Sequence, residues 1–274
     1  MQAAPPRTTV DEALDLLAGR RWLVLTGAGV STDSGIPDYR GPGAPARTPM
    51  TGQQFRSGSP ARQRYWARAY LGWSTMGAVT PNTTHRLLAS LEEQDVVAGL
   101  ITQNVDGLHT SAGQRDVVDL HGRLDRVICL SCGDLSSRAV VQDRLARLNP
   151  GFRAEDVEVL PDGDVALEST AGFVLADCIA CGGALKPDVV FFGENVPVPT
   201  VEHCYRMVEE AEAMVVLGSS LHVFSGRRFV KKAHASGVPV VIVNRGETRG
   251  DAFADVKIDG GCAETLTLLA GALG

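Results

Sequence analysis

The chain has 274 residues and carries 26 lysines and arginines against 32 aspartates and glutamates, which gives a formal net charge of −6. This acidic balance excludes a protein whose whole surface binds nucleic acid, and no segment approaches the roughly 20 consecutive apolar residues of a membrane span. A hydrophobic fraction of 44% can bury the core of an α/β domain with a smaller insertion. We therefore expect no direct nucleic-acid partner and no membrane association.

The first residues, MQAAPPRTTVDEALDLL, lack the apolar core and the small-residue cleavage site of a secretory signal. Asp11 and Glu12 also disfavour a transit peptide. These features predict a cytoplasmic protein. Because thiols stay reduced in that compartment, four of the six cysteines arranged as two pairs indicate a metal site rather than disulfides.

The first predicted elements are a helix over residues 10–19, capped by Thr9, and a buried strand over 22–26 that ends at a glycine. Residues 41–60 are rich in Gly, Pro, Ser and Arg, which predicts a long mobile loop of the kind that serves as a lid. Helical spacing resumes over RQRYWARAYLGW (62–73).

Helices and strands alternate through most of the remaining sequence. The predicted order is helix 82–94, strands 96–101 and 117–120, helix 138–148, helix 201–211, strand 213–217, helix 225–236, strand 239–243 and helix 263–272. This alternation predicts an α/β fold with a doubly wound parallel sheet. Ligands of such folds bind in the crevice at the carboxyl ends of the strands.

Gly27, Ala28 and Gly29 directly follow the first strand, where α/β folds place a dinucleotide-binding turn. Glycines there let the main chain approach a pyrophosphate, although many such turns only make a tight corner. Thr32 replaces the third glycine of the usual fingerprint, and no acidic residue follows about 20 positions later to hold a ribose. The polar segment up to Arg40 is therefore predicted to face a ligand or solvent, and a hydride-transfer enzyme is disfavoured.

Polar or small residues follow three further strands at the same predicted edge of the sheet. They are Gln103, Asn104 and Asp106 after the second strand, Gly218, Ser219 and Ser220 after the fourth, and Asn244, Arg245 and Gly246 after the fifth. Each group alone is ordinary turn or capping chemistry. Their joint placement favours a crevice that binds phosphate and ribose.

His121 ends the third predicted strand and precedes a glycine. A single histidine is more often structural than catalytic, and from their positions alone we interpret His85, His203, His222 and His234 as structural. The placement of His121 favours a general base, because imidazole suits that role near neutral pH.

Cys129 and Cys132, and Cys178 and Cys181, form two CxxC pairs, each followed by a glycine. Four thiolates in two such pairs are the ligand set of a closed, tetrahedral zinc site, which is structural because no coordination position stays open. The gap between the pairs exceeds that of an ordinary zinc ribbon, so an insertion must loop out.

These motifs, in this order, resemble the sirtuin family of NAD-dependent protein-lysine deacylases over nearly the whole chain. The resemblance rests on GAGVSTDSGIPDYRG (27–41), TQNVDGLH (102–109), HG (121–122), the two cysteine pairs, KPDVVFFGE (186–194), GSSLHV (218–223) and VNRGE (243–247). RQRYWARAYLGW and the long insertion between the cysteine pairs further resemble the branch that includes the mitochondrial fourth human sirtuin and its bacterial relatives.

The resemblance implies a doubly wound, Rossmann-like NAD-binding domain with a small zinc-binding domain and a helical insertion. The Rossmann-like domain is expected in three parts, over residues 1–42, 81–125 and 186–274. A flexible loop and helical insertion over 43–80 and a zinc-binding module over 126–185 would separate them.

The resemblance also implies roles for individual residues. NAD would be bound by Gly27, Ala28, Gly29, Asp38, Tyr39 and Arg40, by Gln103, Asn104 and Asp106 around the nicotinamide ribose, and by Gly218, Ser219, Ser220, Asn244, Arg245, Gly246 and Cys262 around the adenosine half. An acyl-lysine peptide would add as a strand between two segments. Their residues are Val190, Phe191, Phe192 and Gly193, and Leu221, His222 and Val223.

His121 and Asn104 would be the catalytic residues. The resemblance implies that His121 takes a proton from a ribose hydroxyl, which then attacks the activated acyl group, and that nicotinamide, the free lysine and an O-acyl-ADP-ribose are released. Zinc would only brace the fold. Two alternatives are a protein mono-ADP-ribosyltransferase and a non-catalytic, zinc-stabilised NAD-sensing module.

The acyl group stays open. Tyr65 and Arg68 have the spacing of the pair that holds the acid in the succinyl- and malonyl-removing branch, but they lie in the tract that resembles a different branch. We therefore do not assign them that role. The oligomeric state and the protein targets leave no signal in the sequence.

Overall fold

The computed structural model describes residues 9–39, 49–153, 167 and 169–273. Its α-helices are α1 (Thr9–Leu17), α2 (Gly52–Arg56), α3 (Ser59–Met76), α4 (Thr83–Glu93), α5 (Leu108–Ser111), α6 (Arg138–Leu148), α7 (Val198–Glu210), α8 (Phe224–Ala235) and α9 (Cys262–Leu273). Its strands are β1 (Trp22–Thr26), β2 (Val97–Thr102), β3 (Val117–Asp119), β4 (Gly122–Cys129), β5 (Leu135–Ser137), β6 (Leu185–Val189), β7 (Ala213–Leu217), β8 (Val240–Val243) and β9 (Val256–Ile258). Short 3-10 turns cover Ala28–Val30, Thr32–Ser34 and Asp251–Phe253.

The main sheet is parallel and has the strand order β3-β2-β1-β7-β8-β9. Its register aligns the carboxyl ends of the central strands, because Thr26 lies opposite both Thr102 and Leu217, and Leu217 lies opposite Val243. The order reverses between β1 and β7, the position where open α/β sheets form a ligand crevice. The prediction of a doubly wound, Rossmann-like sheet is confirmed.

Both faces of this sheet are covered, which explains why β1 and β7 are continuous apolar runs. Val24 and Val215 belong to the core on one side, where α1, α4 and α9 pack. Leu25 and Val216 belong to the core on the other side, against α7 and α8. The alternation of side chains along each strand thus divides one sheet between two hydrophobic cores.

Helix α1 differs from its prediction at both ends. Thr9 already lies in the helix rather than capping it, and the helix ends at Leu17 instead of residue 19. Gly19, with φ of +69°, turns the chain out of the helix into β1.

Residues 41–48 of the predicted long loop (41–60) lie outside the described residues. For the rest of that interval the prediction is wrong, because it contains helix. Thr51 caps α2, with its side chain accepting from the Gln54 amide and the Gln54 side chain accepting from the Thr51 amide. Phe55 is fully buried beside Tyr65 and Phe191. A local capping box and one aromatic anchor therefore order a segment whose composition is typical of loops.

A smaller antiparallel sheet, in the order β5-β4-β6, carries the cysteines. It extends from Gly122 to Val189 and so covers more of the chain than the predicted interval 126–185. Helix α3 packs against this module through Arg138 of α6, whose guanidinium lies 5.2 Å from the Trp66 ring and 4.9 Å from the Trp73 ring. Burial lowers the pKa of Arg138 to about 10, so it stays charged.

The four Sγ atoms of Cys129, Cys132, Cys178 and Cys181 all lie within 4.8 Å of one another. The Cys129–Cys181 and Cys132–Cys178 sulfur pairs are 3.5 and 3.8 Å apart. Zinc–sulfur bonds of 2.3 Å in a tetrahedron place the sulfurs about 3.8 Å apart, so this cluster fits one zinc ion. The predicted metal ligands thus converge on a single closed site.

No helix among the described residues is long and apolar enough to cross a membrane.

Two buried histidines lie behind the central strands. Their rings, in His85 of α4 and His109 of α5, are 4.6 Å apart. Thr26 donates its hydroxyl hydrogen to Thr102, so His109 Nε2–H must donate to Thr26 Oγ1. Burial holds the pKa of His109 well below its ordinary value and lowers that of His85 to about 4, with Arg86 adding a smaller effect.

Acid is therefore expected to destabilise the fold through His85. The unfolded chain binds this proton near pH 6.5 and the folded chain only near pH 4, so stability that is present above pH 6.5 is lost as the pH falls toward 4. Between pH 6.5 and about pH 5, His85 alone should remove about 2 kcal/mol from the free energy of unfolding. Urea titrations across this range measure the loss.

The control for this experiment is His85→Gln, which should show a shallower dependence of stability on pH. The comparison is needed because Asp119 acts in the opposite sense: burial raises its pKa to about 6, so acid relieves a buried charge there. Equal pH dependence in the wild-type protein and the variant would contradict this account of His85.

Removing zinc is expected to lower the unfolding temperature, because four clustered thiolates, two of them buried and two exposed, would lose their shared ion. Metal analysis should find about one zinc per chain, and Cys178→Ala should lose it. Cys204→Ala is the matched control, since Cys204 is buried in a different core and should leave the zinc content unchanged. Full thermal stability after chelation would show that the cluster holds no structural metal.

Candidate active site

A cavity of about 860 Å³ opens at the carboxyl edge of the main sheet. Residues from the loops after β1, β2, β3, β7 and β8 line it, which is the convergence that the sequence predicted for this edge. The predicted residues that line it are Gly27, Ala28, Gly29, Asp38, Tyr39, Gln103, Asn104, Asp106, His121, Val190, Phe191, Phe192, Gly193, Gly218, Ser219, Ser220, Leu221, His222, Val223, Asn244, Arg245 and Cys262. Arg40 lies outside the described residues.

The predicted contact residue Gly246 is not among the cavity-lining residues. It adopts φ of +74° in the turn after β8, and its amide donates to Asp259 Oδ1 at 2.9 Å. The positive φ of this turn is therefore sufficient to explain why the residue is a glycine.

The floor of the cavity is formed where the main chain of the loop after β1 contacts the main chain of the loop after β7. A Cβ atom built on Gly27 would lie 2.9 Å from the Gly218 carbonyl oxygen, and one built on Gly29 would lie 2.8 Å from it. The Gly29 amide donates to that same oxygen at 2.9 Å. The two glycines of the first loop are thus required by the close approach of the loop after β7, whatever ligand lies above them.

Ser31 joins the polar residues that follow β1 and β2. Its buried hydroxyl donates to Asp106 Oδ2 at 2.7 Å and accepts from Asn104 Nδ2 at 3.0 Å. The main-chain amide of Asn104 donates to Thr102 Oγ1 at 3.1 Å. The sequence analysis missed Ser31, because its importance comes from a partner 75 positions away.

Asp106 is a half-buried carboxylate, and its removal from water raises its pKa. The amide of Leu108, the Ser31 hydroxyl and the charge of Arg123 oppose this effect. Arg123 is held at the same place by Asp125, with an Nη2–Oδ2 distance of 2.5 Å. The result is a carboxylate fixed at the cavity wall by donors on several sides.

Gln103 connects the loops after β2 and β7. Its side-chain oxygen accepts from Ser219 Oγ at 2.6 Å. A Cβ atom on Gly226 of α8 would lie 2.5 Å from Gln103 Nε2, so this glycine gives the amide its space. The Gln103 carboxamide is therefore held in one orientation at the cavity surface.

His121 is fixed through both ring nitrogens. Nδ1 lies 2.9 Å from the main-chain carbonyl oxygen of Gln103. That oxygen can only accept, so the hydrogen is on Nδ1. Nε2 then carries the lone pair in the neutral ring and accepts from Ser225 Oγ at 2.8 Å. Burial lowers the pKa of His121, partly offset by the bond to Gln103, which keeps the ring neutral at neutral pH. This is the state of a general base.

The far side of the cavity is shaped by the start of α9. Gly260, Gly261 and Cys262 line it, and the first amides of a helix have no partner inside the helix. Burial raises the pKa of the Cys262 thiol to about 12, so it stays protonated and offers no nucleophile. Arg245 adds a positive charge on this side. Helix amides, glycines and a guanidinium suit phosphate groups.

The opposite wall consists of residues 190–194 and 221–223. Glu194 fixes the first segment, since its carboxylate accepts from the Phe191 amide and pairs with Lys186 at 3.0 Å and Arg56 at 3.0 Å. Leu221 holds φ of +52°, a strained conformation for a residue with a side chain, at the beginning of the second segment.

Several main-chain groups of the first segment are already paired within the chain, including the Phe191 amide with the Glu194 carboxylate and the Phe191 carbonyl oxygen with the Glu194 amide. The Gly52 amide donates to the Phe192 carbonyl oxygen at 3.0 Å, and the Val190 amide donates to the His121 carbonyl oxygen at 2.8 Å. An added peptide strand would have to use other groups of the wall, such as those of Gly193.

Tyr65 and Arg68 do not line the cavity within the described part of the chain. Tyr65 is buried in an aromatic cluster, with its ring centroid 5.2 Å from that of Phe191. The structure thus gives no reason to assign this pair to an acidic acyl group.

Known proteins resemble this chain in both sequence and fold. The profile of the Sir2 family matches residues 27–225. A protein of Mycobacterium avium named NAD-dependent protein deacetylase 1 is 57% identical over 270 residues, which are 96% of this chain and 95% of that protein. The human NAD-dependent protein lipoamidase sirtuin-4, mitochondrial, is 46% identical over 257 residues, covering 91% of this chain and 82% of its own length.

Solved structures agree with the sequence relatives. A complex described as Sir2 with a p53 peptide and NAD+ is 31% identical, with a TM-score of 0.76 over 96% of this chain and 98% of that one. A Sir2 bound to an acetylated peptide is 30% identical, with a TM-score of 0.75 over 97% and 99% of the two chains. Profile, relatives and fold coincide with the cavity and cysteine cluster described above, and the chain belongs to the Sir2 family.

Proposed function

We propose that this protein is an NAD-dependent protein-lysine deacylase. The observation that carries the proposal is His121, a neutral imidazole whose Nε2 lone pair lies at the surface of the 860 Å³ cavity. The relatives named as NAD-dependent deacetylases support the choice of cofactor and reaction. When bound, NAD supplies an anomeric carbon from which nicotinamide can leave and to which an acyl oxygen can be joined.

The residues of the chain would divide the work between two ends of the cavity. The start of α9 and Arg245 would bind the phosphates and adenosine, while Asn104 and Asp106 would hold the nicotinamide ribose near His121. Gln103, fixed by Ser219, would orient polar groups between these two ends. The apolar wall at Phe191 would accept the chain of the acyl-lysine.

His121 would accept a proton at Nε2 from a ribose hydroxyl, which frees that oxygen to attack the acyl group. The Gln103 carbonyl would stabilise the positive ring through its bond to Nδ1. Asp106 would be held in place by the Ser31 hydroxyl and the Leu108 amide, which both donate to its carboxylate. The zinc cluster belongs to the other sheet and is not among the cavity-lining residues, which fits a bracing role.

The wild-type protein is expected to convert an acetyl-lysine peptide and NAD to free lysine, nicotinamide and O-acetyl-ADP-ribose, as measured by mass spectrometry. His121→Ala should lower turnover by about 10²-fold or more while NAD binding, measured by calorimetry, is retained. Acyl groups of different length and charge should be compared in the same assay, because the chain leaves the acyl preference open. Unchanged turnover in the variant would remove His121 from the mechanism.

Labelled NAD separates the proposal from its alternatives. Transfer of label to protein side chains, without O-acyl-ADP-ribose, would favour mono-ADP-ribosylation. NAD binding without any consumption would favour a sensing module. The cytoplasmic location stays a prediction, and fractionation of expressing cells tests it.

Ser225 is the second partner of His121 in this proposal. A ring held only at Nδ1 can swing about that bond, whereas the additional contact at Nε2 fixes both the ring plane and the direction of the lone pair. The hydroxyl can also rotate, so it can yield its place at Nε2 when a ribose hydroxyl arrives. Ser225 would thus position the base.

Ser225→Ala should lower kcat about 10-fold and leave KM for NAD within about twofold, because the base is less well oriented while the binding groups persist. Ser225→Thr keeps a hydroxyl and should restore most of the rate. Nitrogen NMR of the histidine rings should show the Nδ1–H form in the wild type and a changed Nε2 signal in the alanine variant. An alanine variant as fast as the wild type would contradict this role.

A further inference from the structure

Helix α8 carries a concentrated positive charge on an acidic protein. The chain has a net charge of −6, yet Arg227, Arg228, Lys231 and Lys232 lie within six consecutive positions of this helix. Next to the main cavity, a second hollow is lined by Tyr205, Glu209, Phe224, Arg228, Lys231 and Lys232. Phe224 and Arg228 line both, so the hollow continues the cavity toward the outside.

Within the described structure, Arg228 has no acidic partner. Glu209, the acidic residue of the hollow, pairs with Lys232 at 2.9 Å. Arg228 Nε is buried and makes no hydrogen bond. A buried donor without a partner is uncommon in folded proteins, so the described part of the chain leaves this guanidinium incompletely satisfied.

The contact that Arg228 does make fixes its direction. Its guanidinium carbon lies 4.9 Å from the centre of the Phe224 ring, which is 54% exposed. Stacking on an aromatic face leaves the far edge of the guanidinium, with its two terminal nitrogens side by side, able to donate to a ligand. This fork matches the two oxygens of a carboxylate.

The location identifies which molecule would bring that carboxylate. Phe224 directly follows Val223, the last residue of the wall predicted to flank the substrate peptide. A peptide in extended form advances about 3.3 Å per residue, so side chains within about four residues of the acyl-lysine can reach the hollow. Lys231 and Lys232 add to the positive potential along the same path.

We propose that Arg228, stacked on Phe224, binds the carboxylate of an aspartate or glutamate that flanks the acyl-lysine, and so selects substrates with acidic flanking sequences. This inference rests on the proposed deacylase function. It runs against the net charge of the chain, which by itself favours basic peptide partners. The hollow beside the cavity is positively charged, whereas the net charge of the chain is negative.

Peptide pairs test the proposal. Acetyl-lysine peptides that differ only by Glu or Gln, with the change placed at each of about four positions on either side, are compared by kcat/KM and by calorimetric binding. The wild type should prefer Glu about 10-fold at one or two positions, mainly through KM, and added salt should reduce the preference. Equal values for Glu and Gln at every position would overturn the proposal.

The variants assign the preference to Arg228. Arg228→Gln should abolish the difference in kcat/KM between the Glu and Gln peptides, and Arg228→Glu should favour peptides with Lys at the same position. Arg20→Gln removes an exposed charge far from the cavity and should keep the preference. A preference for Glu that survives Arg228→Gln would contradict the assignment.

The two proposals can fail separately. If no peptide is deacylated by the wild type, the proposed function fails, and the calorimetric comparison of Glu and Gln peptides still measures whether Arg228 binds a carboxylate. If deacylation occurs without a flanking preference, only the present inference fails.

Discussion

The site depends on one steric constraint, the contact between the loops that follow β1 and β7. The Gly29 amide donates to the Gly218 carbonyl oxygen, and neither Gly27 nor Gly29 has space for a side chain above that carbonyl. These loops come from adjacent strands where the sheet order reverses. Because they touch, the residues after them have fixed positions relative to each other, and the cavity has a continuous floor.

The polar residues above this floor form two linked sets. In the first set, Ser31 joins Asn104 to Asp106. In the second, Ser219 fixes the side chain of Gln103, and the main-chain carbonyl oxygen of Gln103 accepts from His121. Since hydrogen-bonded partners restrict one another, the half-buried His121 and Asp106 are held in defined orientations within the same cavity. Low-dielectric surroundings raise the free energy of a charged group, and for the same reason they favour the neutral form of the base. Main-chain donors and acceptors of the fold offset this cost.

Much of this arrangement could be predicted from the sequence. Apolar runs followed by glycine or polar residues identified β1, β2, β7 and β8 and the edge at which they meet. The spacing of the two cysteine pairs predicted a cluster that the structure brings within 4.8 Å. These predictions succeed because they depend on local periodicity and on the geometry common to all parallel sheets.

Other features had no local signal. Ser31 and Ser225 are ordinary serines in the sequence, and only a partner on another loop gives each its place. At α2 a local signal was present but overlooked, because the capping box of Thr51 and Gln54 begins a helix in a segment whose composition is typical of loops. In each case the deciding interaction joins residues that composition and periodicity treat separately.

Arg138 has a consequence for how this chain could be recombined with its relatives. The cation belongs to α6 of the cysteine module, but the rings that shelter it, Trp66 and Trp73, belong to α3. A chimera that exchanged α3 without the module would bury a guanidinium against foreign side chains. The two segments would therefore have to be exchanged together, although 61 residues, from 77 to 137, lie between them in the sequence.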